Sequence, residues 1–420
     1  MRTSLLCLFV VLVGCAAEVP PPGDLLKSSK DRITQAAPAA DVDQAIDDTT
    51  RFGFDVYRKL PADENLAFSP WSVVAALSMT YPGARGTTQA AFEQVLHLSL
   101  PADRYHRAMN TVDAALESRG QGAAGRDGKP FRLRSNNQLF THKGLPVLPD
   151  FLDVLAQEYG AGVRQLDFQA QPEPSRKKIN DWVSTNTEGI IPELLAQGTI
   201  SSDTRLALVN TLYFNAAWKN PFVKEKTGPG NFTLPDGSTA RVEMMAGEDV
   251  ELSYGTLDEV EVFDLPYQGD EVSMVLLVPP AGKLTALEQQ LDGVKLRALV
   301  AAAMPRTAAV RMPKFEARTQ AQLDEILKAL GLGVAFSGEA NFSGMTSEGG
   351  LAITAVVHEA VVKTDEAGTE AAAATAVIVG RVSLPQYLEV NRPFVFVIRD
   401  RATGAVLFMG RLSRPVTLAN

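Results

Sequence analysis

Cysteine is nearly absent from this chain of 420 residues, since Cys7 and Cys15, both close to the N-terminus, are the two that it contains. A domain built from the remaining residues would therefore hold no disulfide and no cysteine-based metal site. A chain of this length does not need such cross-links, because a large domain buries most of the surface of its unfolded chain. With 45% hydrophobic residues, the composition is typical of a globular protein.

Positive charge is also in deficit. The chain has 40 Lys and Arg residues against 49 Asp and Glu residues, which gives a formal net charge of −9 at pH 7. A nucleic-acid binder needs a basic face or stripe. Basic clusters here are as short as Arg176–Lys178, which we interpret as a solvated helix face. We therefore expect neither a nucleic-acid partner nor a polyanion site.

The motifs of common enzymes are missing. There is no GxSxG elbow, Walker A loop, HExxH helix or paired-cysteine motif. The letters GQGAAG at Gly120–Gly125 match GxGxxG, but a helical pattern precedes them instead of a strand, so a flexible loop is predicted there. His358 is the histidine in an apolar frame, which is typical of a hydrogen-bonded core residue. We expect no enzyme activity, no cofactor and no metal.

The N-terminus has the pattern of an export signal. Arg2 precedes the apolar run Leu5–Val13, which is too short to span a bilayer and is typical of a secretory signal peptide. The letters LVGC that end at Cys15 resemble a bacterial lipobox, which implies a signal at 1–14 and lipidation of Cys15; ordinary cleavage at a nearby small residue is the alternative. We expect an exported protein, lipid-anchored in the bacterial cell envelope, with the outer membrane or the cell surface as candidate locations.

Residues 15–44 are rich in Pro, Ala and charge, and they predict a lipid-anchored flexible tether without packed structure. From about residue 45 the pattern is globular, and no second linker divides 45–420, so we predict one large domain. Periodicity identifies helices at Trp71–Tyr81, Asp150–Gly160 and Gln322–Gly331, and strands at Ser273–Pro280, Ala308–Ala317, Phe394–Asp400 and Val406–Leu412. Helices concentrate in the N-terminal half and strands in the C-terminal half, which favours an α+β fold over a wound α/β sheet.

One stretch near the C-terminus carries conflicting signals. Thr369–Thr375 (TEAAAAT) contains strong helix formers, whereas Ala376–Val379 (AVIV) is typical of a strand. Between residues 369 and 383 the charged side chains are Glu370 and Arg381. Such a segment can be soluble as an exposed loop and can also enter a buried sheet without desolvating much charge.

Several segments taken together resemble the serpin family. They follow the family's order from about residue 48 to Pro415, with modest departures at Tyr81-Pro82 and Ala367. The resemblance implies a single domain with a large central sheet and an exposed reactive-site loop at about 366–390. In the family, a target protease cleaves this loop, and the loop's N-terminal part then inserts as a central strand of the sheet. The segments are Asn65–Thr88, Ser135–Phe140, Ile179–Ile191, Leu208–Phe222, His358–Thr375 and Val390–Pro415.

The resemblance also assigns residues. Counting from Glu366 and, independently, back from Asn391 places the reactive bond at Val382–Ser383, and Arg381–Val382 remains the alternative. If Thr369 faces the core on insertion, period-two alternation turns Ala371, Ala373 and Thr375 inward as well and leaves Glu370 on the other face. The insertion hinge would comprise Glu366, Gly368, Thr369, Glu370, Ala371, Ala372, Ala373, Ala374 and Thr375, and the sheet-opening gate Ser69, Ser72, Asn210, Trp218 and His358.

The function that the resemblance implies is suicide inhibition of a serine protease through a covalent acyl-enzyme complex, by a monomer that touches the membrane through its lipid anchor only. Val382 suits the small apolar pocket of an elastase-like enzyme, while Arg381 would suit a trypsin-like one, and a cysteine protease is an alternative partner. A non-inhibitory serpin acting as a binding or carrier protein and a lipid-anchored hydrolase are the competing hypotheses. The small residues of Gly368–Thr375, with Glu370 as the one charge, argue against the carrier, and the missing motifs argue against the hydrolase.

Overall fold

A computed structural model describes residues 19–62, 64–369 and 386–418. The predicted signal, Cys15, the hinge positions Glu370–Thr375, and Arg381, Val382 and Ser383 lie outside the described residues. The helices are α1 (Ala39–Tyr57), α2 (Pro70–Thr80), α3 (Gly86–Val95), α4 (Ala102–Glu117), α5 (Pro149–Tyr159), α6 (Pro172–Asn186), α7 (Leu284–Gln290), α8 (Gly293–Ala301) and α9 (Asp324–Leu327). Shorter helical turns are Tyr81–Gly83, Lys224–Lys226, Lys328–Leu332 and Gly333–Phe336.

The strands form two sheets. They are β1 (Asp24–Leu26), β2 (Leu66–Phe68), β3 (Arg132–His142), β4 (Val163–Leu166), β5 (Leu206–Ala217), β6 (Gly228–Thr233), β7 (Thr239–Leu257), β8 (Val260–Pro266), β9 (Val272–Val278), β10 (Met304–Pro313), β11 (Phe315–Gln322), β12 (Ile353–Thr364), β13 (Gly368–Thr369), β14 (Tyr387–Glu389), β15 (Phe394–Asp400) and β16 (Val406–Leu412). The first sheet has the order β1-β4-β3-β5-β13-β12-β11. The second has the order β14-β10-β7-β8-β9-β15-β16-β2, with β6 beside β7.

Helix α2 lies at the centre of the molecule. Every one of its residues is buried, as expected for a helix that is apolar on all sides. It contacts β3 and β5 of the first sheet and β16 of the second. Its N-cap Ser69 accepts a hydrogen bond from the Ser72 amide, and Pro70 occupies the first helical position, where a missing N–H costs nothing. The sequence of this helix therefore places two polar hydroxyls directly beneath the first sheet.

The predicted α+β class is confirmed, with the long helices α1, α4 and α6 early in the chain and most strands later. The strands predicted at Phe394–Asp400 and Val406–Leu412 are β15 and β16. The single strand predicted at Ala308–Ala317 was wrong, because two strands meet there at Lys314 and belong to different sheets. The helix predicted at Gln322–Gly331 is also shorter, since Gly331 has a φ of 119° that an α-helix does not accommodate.

The described part of the expected tether is not free of structure. Residues 24–26 form the edge strand β1, which pairs antiparallel with β4, and α1 begins at Ala39 instead of about residue 45. Composition did not indicate this packing, because the β4 partners of residues 24–26 lie more than a hundred positions away in the sequence. No helix in the described ranges is long and apolar enough to cross a bilayer.

Candidate functional site

The first sheet is only partly joined at its centre. The strands β5 and β12 run parallel and pair directly over six residue pairs that end with Glu359 opposite Thr211. Beyond that point β13 lies between them and is antiparallel to both, with Thr369 opposite Ala216 of β5 and Thr364 of β12. The chain therefore turns back after β12 and enters its own sheet with the two residues of β13.

A cavity of about 90 Å³ lies beside Thr369, where β5 and β12 are not paired with each other. Leu212 and Phe214 of β5 and Val361 of β12 contribute to its walls. Ile190 and Ile191, which follow α6, also line it. The two strands are thus already separated at the place where a further inserted residue would have to enter.

The turn that leads into β13 requires a glycine. Gly368 has a φ of 153°, and a Cβ atom there would lie 2.1 Å from the carbonyl oxygen of Ala216. The turn itself is closed by hydrogen bonds, since the Asp365 amide donates to the Gly368 carbonyl at 3.0 Å and the Ala367 amide donates to Oδ1 of Asp365 at 3.0 Å. Any side chain at position 368 would move β13 out of the sheet.

Aromatic and charged side chains fix this turn to the body of the protein. The indole of Trp218 donates to the Asp365 carbonyl at 2.9 Å and stacks on the ring of Tyr267 at a centroid distance of 4.6 Å. The Tyr267 hydroxyl bonds to Oγ1 of Thr369 at 2.6 Å, and burial raises the pKa of Tyr267 so that this hydroxyl keeps its proton. The guanidinium of Arg126 donates to the Asp365 carboxylate at 2.5 Å. The hinge thus starts from a rigid base.

Glu366 is held in the same turn and is buried, with 6% of its surface exposed. Its carboxylate accepts a hydrogen bond from Oγ1 of Thr227 at 2.6 Å and pairs with Nζ of Lys314 at 2.9 Å. Burial would raise the pKa of Glu366, but these two partners outweigh burial and lower it. The negative charge of Glu366 is therefore compensated by Lys314 inside the protein.

Four of the five predicted gate residues meet at the direct β5–β12 junction. Asn210 of β5 lies opposite His358 of β12, and Nδ1 of His358 bonds to Oδ1 of Asn210 at 2.8 Å. The Ser69 amide donates to Nε2 of His358 at 3.1 Å, and the Ser72 hydroxyl donates to Oδ1 of Asn210 at 3.3 Å. All four side chains are fully buried. The fifth residue, Trp218, lies with the hinge turn.

The protonation state of His358 follows from its partners. Nε2 accepts the Ser69 N–H, so the neutral ring carries its proton on Nδ1 and donates it to Asn210. Burial lowers the pKa of His358 to about 3. The expectation of a hydrogen-bonded core histidine agrees with this geometry. Among the described residues, none accepts a hydrogen bond from the Nδ2 amide of Asn210, which leaves a buried donor free at the junction.

Sequence reasoning missed several residues that hold the hinge, among them Arg126, Tyr267 and Lys314. The glycine-rich stretch before Arg126 was an available signal. A Cβ atom at Gly125 would lie 2.6 Å from Oδ1 of Asn215, and the Arg126 amide donates to the same oxygen at 2.8 Å. The GxGxxG match is a loop, as predicted, and its last glycine allows the close approach that points Arg126 toward the hinge.

The site has no feature of a catalytic centre. Its ionisable groups are paired, its histidine is neutral and sealed from solvent, and within the described ranges no group of three or more His, Cys, Asp or Glu side chains could hold a metal ion. Its distinctive property is the sheet itself, in which β13 of the same chain lies between the central strands β5 and β12. This topology, in which a short strand of the same chain lies between two parallel strands, defines the class of the protein.

Comparison with known proteins identifies that class. The family described as serpin (serine protease inhibitor) matches residues 47–415. The leukocyte elastase inhibitor of Bos taurus is 37% identical over 381 residues, which cover 87% of this chain and 98% of that protein. An uncharacterised serpin-like protein of Thermococcus kodakarensis is 33% identical over 370 residues, which cover 87% of this chain and 84% of that protein.

Solved structures agree with the sequence relatives. Human thyroxine-binding globulin in complex with thyroxine superposes with a TM-score of 0.80 and 26% identity, covering 90% of this chain and all of that one. Uncleaved ovalbumin has a TM-score of 0.78 and 26% identity, covering 88% of this chain and 99% of that one. The chain belongs to the serpin family, and as a member of a family of protease inhibitors and binding proteins it is not an enzyme.

Proposed function

We propose that this protein is a suicide inhibitor of serine proteases, which offers the loop after Thr369 as bait and traps the protease by inserting that loop into the first sheet. The observation that carries the proposal is the position of β13. Its two residues already lie between β5 and β12 in the antiparallel orientation that a full inserted strand would need.

The register of β13 tells which side chains would be buried by further insertion. Thr369 is 2% exposed and faces the main core. Because alternate residues of a strand share a face, Ala371 would come opposite Phe214 of β5 and Ala373 opposite Leu212. Both of these β5 residues belong to the main core. The small inward side chains would therefore be buried without unpaired charge, and Glu370 would point to the other face.

The same register brings Thr375 opposite both Asn210 and His358, the pair at the junction of β5 and β12. The Nδ2 amide of Asn210 is the buried donor without an acceptor among the described residues. A threonine hydroxyl placed there supplies an acceptor, and satisfying a buried donor is favourable by roughly 1–3 kcal/mol. The inserted state would thus be stabilised when Thr375 reaches the junction that insertion has opened.

The chemistry belongs to the protease. Its nucleophile adds to the carbonyl carbon of Val382, the bond to Ser383 breaks, and the new amine of Ser383 leaves with a proton. The acyl-enzyme ester that remains would normally be hydrolysed by water. Insertion of about twelve residues moves the ester some 40 Å along the sheet at roughly 3.3 Å per residue, which removes the protease from its productive geometry before hydrolysis.

An elastase-like protease is the target that the proposal names. Valine is a small apolar side chain that suits a shallow specificity pocket, and relatives with 34–37% identity carry the name leukocyte elastase inhibitor. Arg381 is one residue away and would direct a trypsin-like enzyme to Arg381–Val382 instead.

Replacing Val382 with arginine is expected to abolish trapping of pancreatic elastase and to create trapping of trypsin, each by about 10³-fold or more in association rate, since the pocket of each enzyme selects by charge and size. Both association rates are obtained from the protease activity that remains after timed incubation with the inhibitor. Arg381→Ala is the matched control and should leave elastase trapping within about twofold.

Sequencing of the released peptide separates the two candidate bonds. An N-terminus at Ser383 supports Val382, and one at Val382 moves the bait to Arg381. Elastase, trypsin and a cysteine protease are each mixed with the protein, and the products are separated on a denaturing gel. If all three cleave the loop and none forms a covalent complex with the protein, the inhibitor proposal is contradicted.

That last outcome would favour a second function, a binding or carrier protein. The observation behind it is the likeness to thyroxine-binding globulin in complex with thyroxine. We rank it second because the hinge from Glu370 to Thr375 carries one charge, and that charge falls on the outward face in the register of Thr369.

The proposal includes export and lipid anchoring of the protein at Cys15 in a bacterial envelope. Val19 is already bound to α6, so the four residues from Cys15 to Val19 would span at most about 14 Å. The anchor would then hold the domain close to the membrane instead of on a long tether. We expect radioactive palmitate to label the protein in a bacterial host and Cys15→Ser to lose the label while folding normally; labelling that survives this change would disprove the assignment.

A further inference from the structure

Residues 19–38, which we call the N-terminal strap, run across one side of the molecule and are tied to four of its elements. Val19 binds α6, β1 extends the edge of the first sheet at β4, Ser28 binds α5 and Arg32 binds α4. We propose that the strap holds α6 over the gap in the first sheet and thereby slows insertion of the loop. The inference rests on the proposed function, because insertion is the step that the strap would slow.

The contact of the strap with α6 is specific. The Val19 amide donates to Oδ1 of Asn186 at 2.9 Å, and Nδ2 of Asn186 donates back to the Val19 carbonyl at 2.8 Å. The indole of Trp182 donates to the same carbonyl at 2.9 Å. Asn186 and Trp182 are almost fully buried. The strap thus binds the last turn of α6 through the oxygen and the nitrogen of one amide side chain and through one indole N–H.

The other end of the strap is fixed by Arg32. Its guanidinium donates to Oδ1 of Asn110 at 2.7 Å and pairs with Asp113 at 2.7 Å and Glu117 at 2.9 Å, all on α4. The Asn110 side chain in turn donates to the Ile33 carbonyl at 2.7 Å. The strap therefore joins α6, through β1, to α4.

The segment that α6 leads into, residues 187–195, covers the gap, and we call it the cover. Thr187 follows Asn186 directly, and Thr187, Ile190 and Ile191 line the cavity beside Thr369. The same region bridges the two halves of the sheet, because a buried cluster around Val183 contains residues of both β5 and β12. Admitting one more strand widens the sheet by about 4.8 Å. The cover must lift or slide when this happens.

The cover is attached on both sides of the opening. On the β11 side, Arg318 donates to the Ile190 carbonyl at 3.2 Å and Gln320 donates to the Leu194 carbonyl at 2.9 Å. On the other side, the strap holds Asn186, and Arg132 and Arg134 of β3 pair with Glu188 at 3.0 and 3.3 Å. When the halves separate, the attachments on one side must break. Because the strap contact directly precedes Thr187, which lines the gap, we expect its loss to weaken the attachment of the cover on this side.

The test uses the mature chain with two changes on the strap itself, Val19→Pro and Arg32→Gln. Val19→Pro removes the N–H that binds Asn186 at a residue 42% exposed, and Arg32→Gln removes both ion pairs to α4. A synthetic peptide with the sequence of residues 369–380 is added, and its uptake is followed as the protein becomes more heat-resistant. We expect the double variant to take up the peptide about five- to tenfold faster, as the loss of about 1 kcal/mol of holding contacts implies.

Arg107→Gln is the matched control. Arg107 pairs with Glu158 at 2.8 Å and joins α4 to α5 without touching the strap, so it should leave the uptake rate within about twofold. An equal rate in the double variant and the parent would overturn the strap proposal. Val19→Pro alone changes no core residue and serves if the double variant does not fold.

Hydrogen exchange separates this inference from the proposed function. Amides of residues 187–195 should exchange about five- to tenfold faster in the double variant, whether or not any peptide is taken up. Unchanged exchange there would disprove the strap's hold on the cover. Faster exchange in a protein that never accepts the peptide would instead keep the strap and contradict loop insertion.

Discussion

Replacing Ala373 with arginine is expected to convert the protein from an inhibitor of its target protease into a substrate. In the register of β13 this side chain would face Leu212 and Ala360, both buried in the main core. An unpaired guanidinium cannot be buried there cheaply, so insertion stalls and water hydrolyses the acyl-enzyme. We expect the number of inhibitor molecules consumed per protease to rise from about one to more than about ten, as measured by titration of residual protease activity.

Ala372→Arg is the control, because the neighbouring alanine alternates to the other face. There the arginine would pass Val361 and reach the exposed carboxylate of Glu316, at the rim of the cavity that the segment after α6 covers. Long cationic side chains keep their charge hydrated in such places, so inhibition should stay within about twofold of the parent. Normal inhibition by the Ala373→Arg variant would show that the register of β13 does not continue into the sheet.

Cutting the loop with a protease that it does not trap is expected to raise the unfolding temperature of the protein by about 20 °C or more. Under the proposed function, the cut would free the segment after Thr369 to continue between β5 and β12. A new central strand gains hydrogen bonds on both edges, and its inward side chains are buried against the main core. Differential scanning calorimetry of the intact and the nicked protein measures the change.

The Ala373→Arg variant, nicked in the same way, should gain only a few degrees, because its strand cannot pass position 373. A nicked parent that melts at the temperature of the intact protein would contradict loop insertion. It would leave the binding or carrier function as the better account of the fold.

Local patterns were sufficient for much of the fold. The helix predicted at Trp71–Tyr81 and the strand predicted at Ser273–Pro280 lie within one or two residues of α2 and β9, because each buries a long apolar run. The predicted strand at Ala308–Ala317 failed at Lys314. A single polar residue within an alternating pattern does not reveal that the chain passes there from one sheet to the other.

The turn at Glu366 and Gly368 was indicated by the sequence, but the residues that support it were not. Gly368 and the stretch of small residues after Glu370 are local features, and the motifs of the family placed Glu366 and Trp218 beside them. Arg126 contacts the same turn from a position 239 residues earlier in the chain. No periodicity connects residues at that separation, so the contact became visible only when the chain was folded.

The N-terminal segment is a second case. Its content of Pro, Ala and charge predicted a tether, and its charges are instead used in pairs, with Arg32 against Asp113 and Glu117 and Lys30 against Asp153. Composition measures whether a segment can form a core of its own. Composition gives no information on the partners that the rest of the domain supplies.

The sequence by itself determined the family, the α+β class and the presence of small side chains after Glu370, because these depend on residues that are neighbours in the chain. The tertiary structure decided that β13 lies between two parallel strands and that the buried Nδ2 amide of Asn210 lies at their junction without an acceptor among the described residues. It also decided that the strap at residues 19–38 binds α6 through Val19. The physical reason is the same in each case. These features are contacts between surfaces of distant segments, and their free energy depends on geometry that no local pattern specifies.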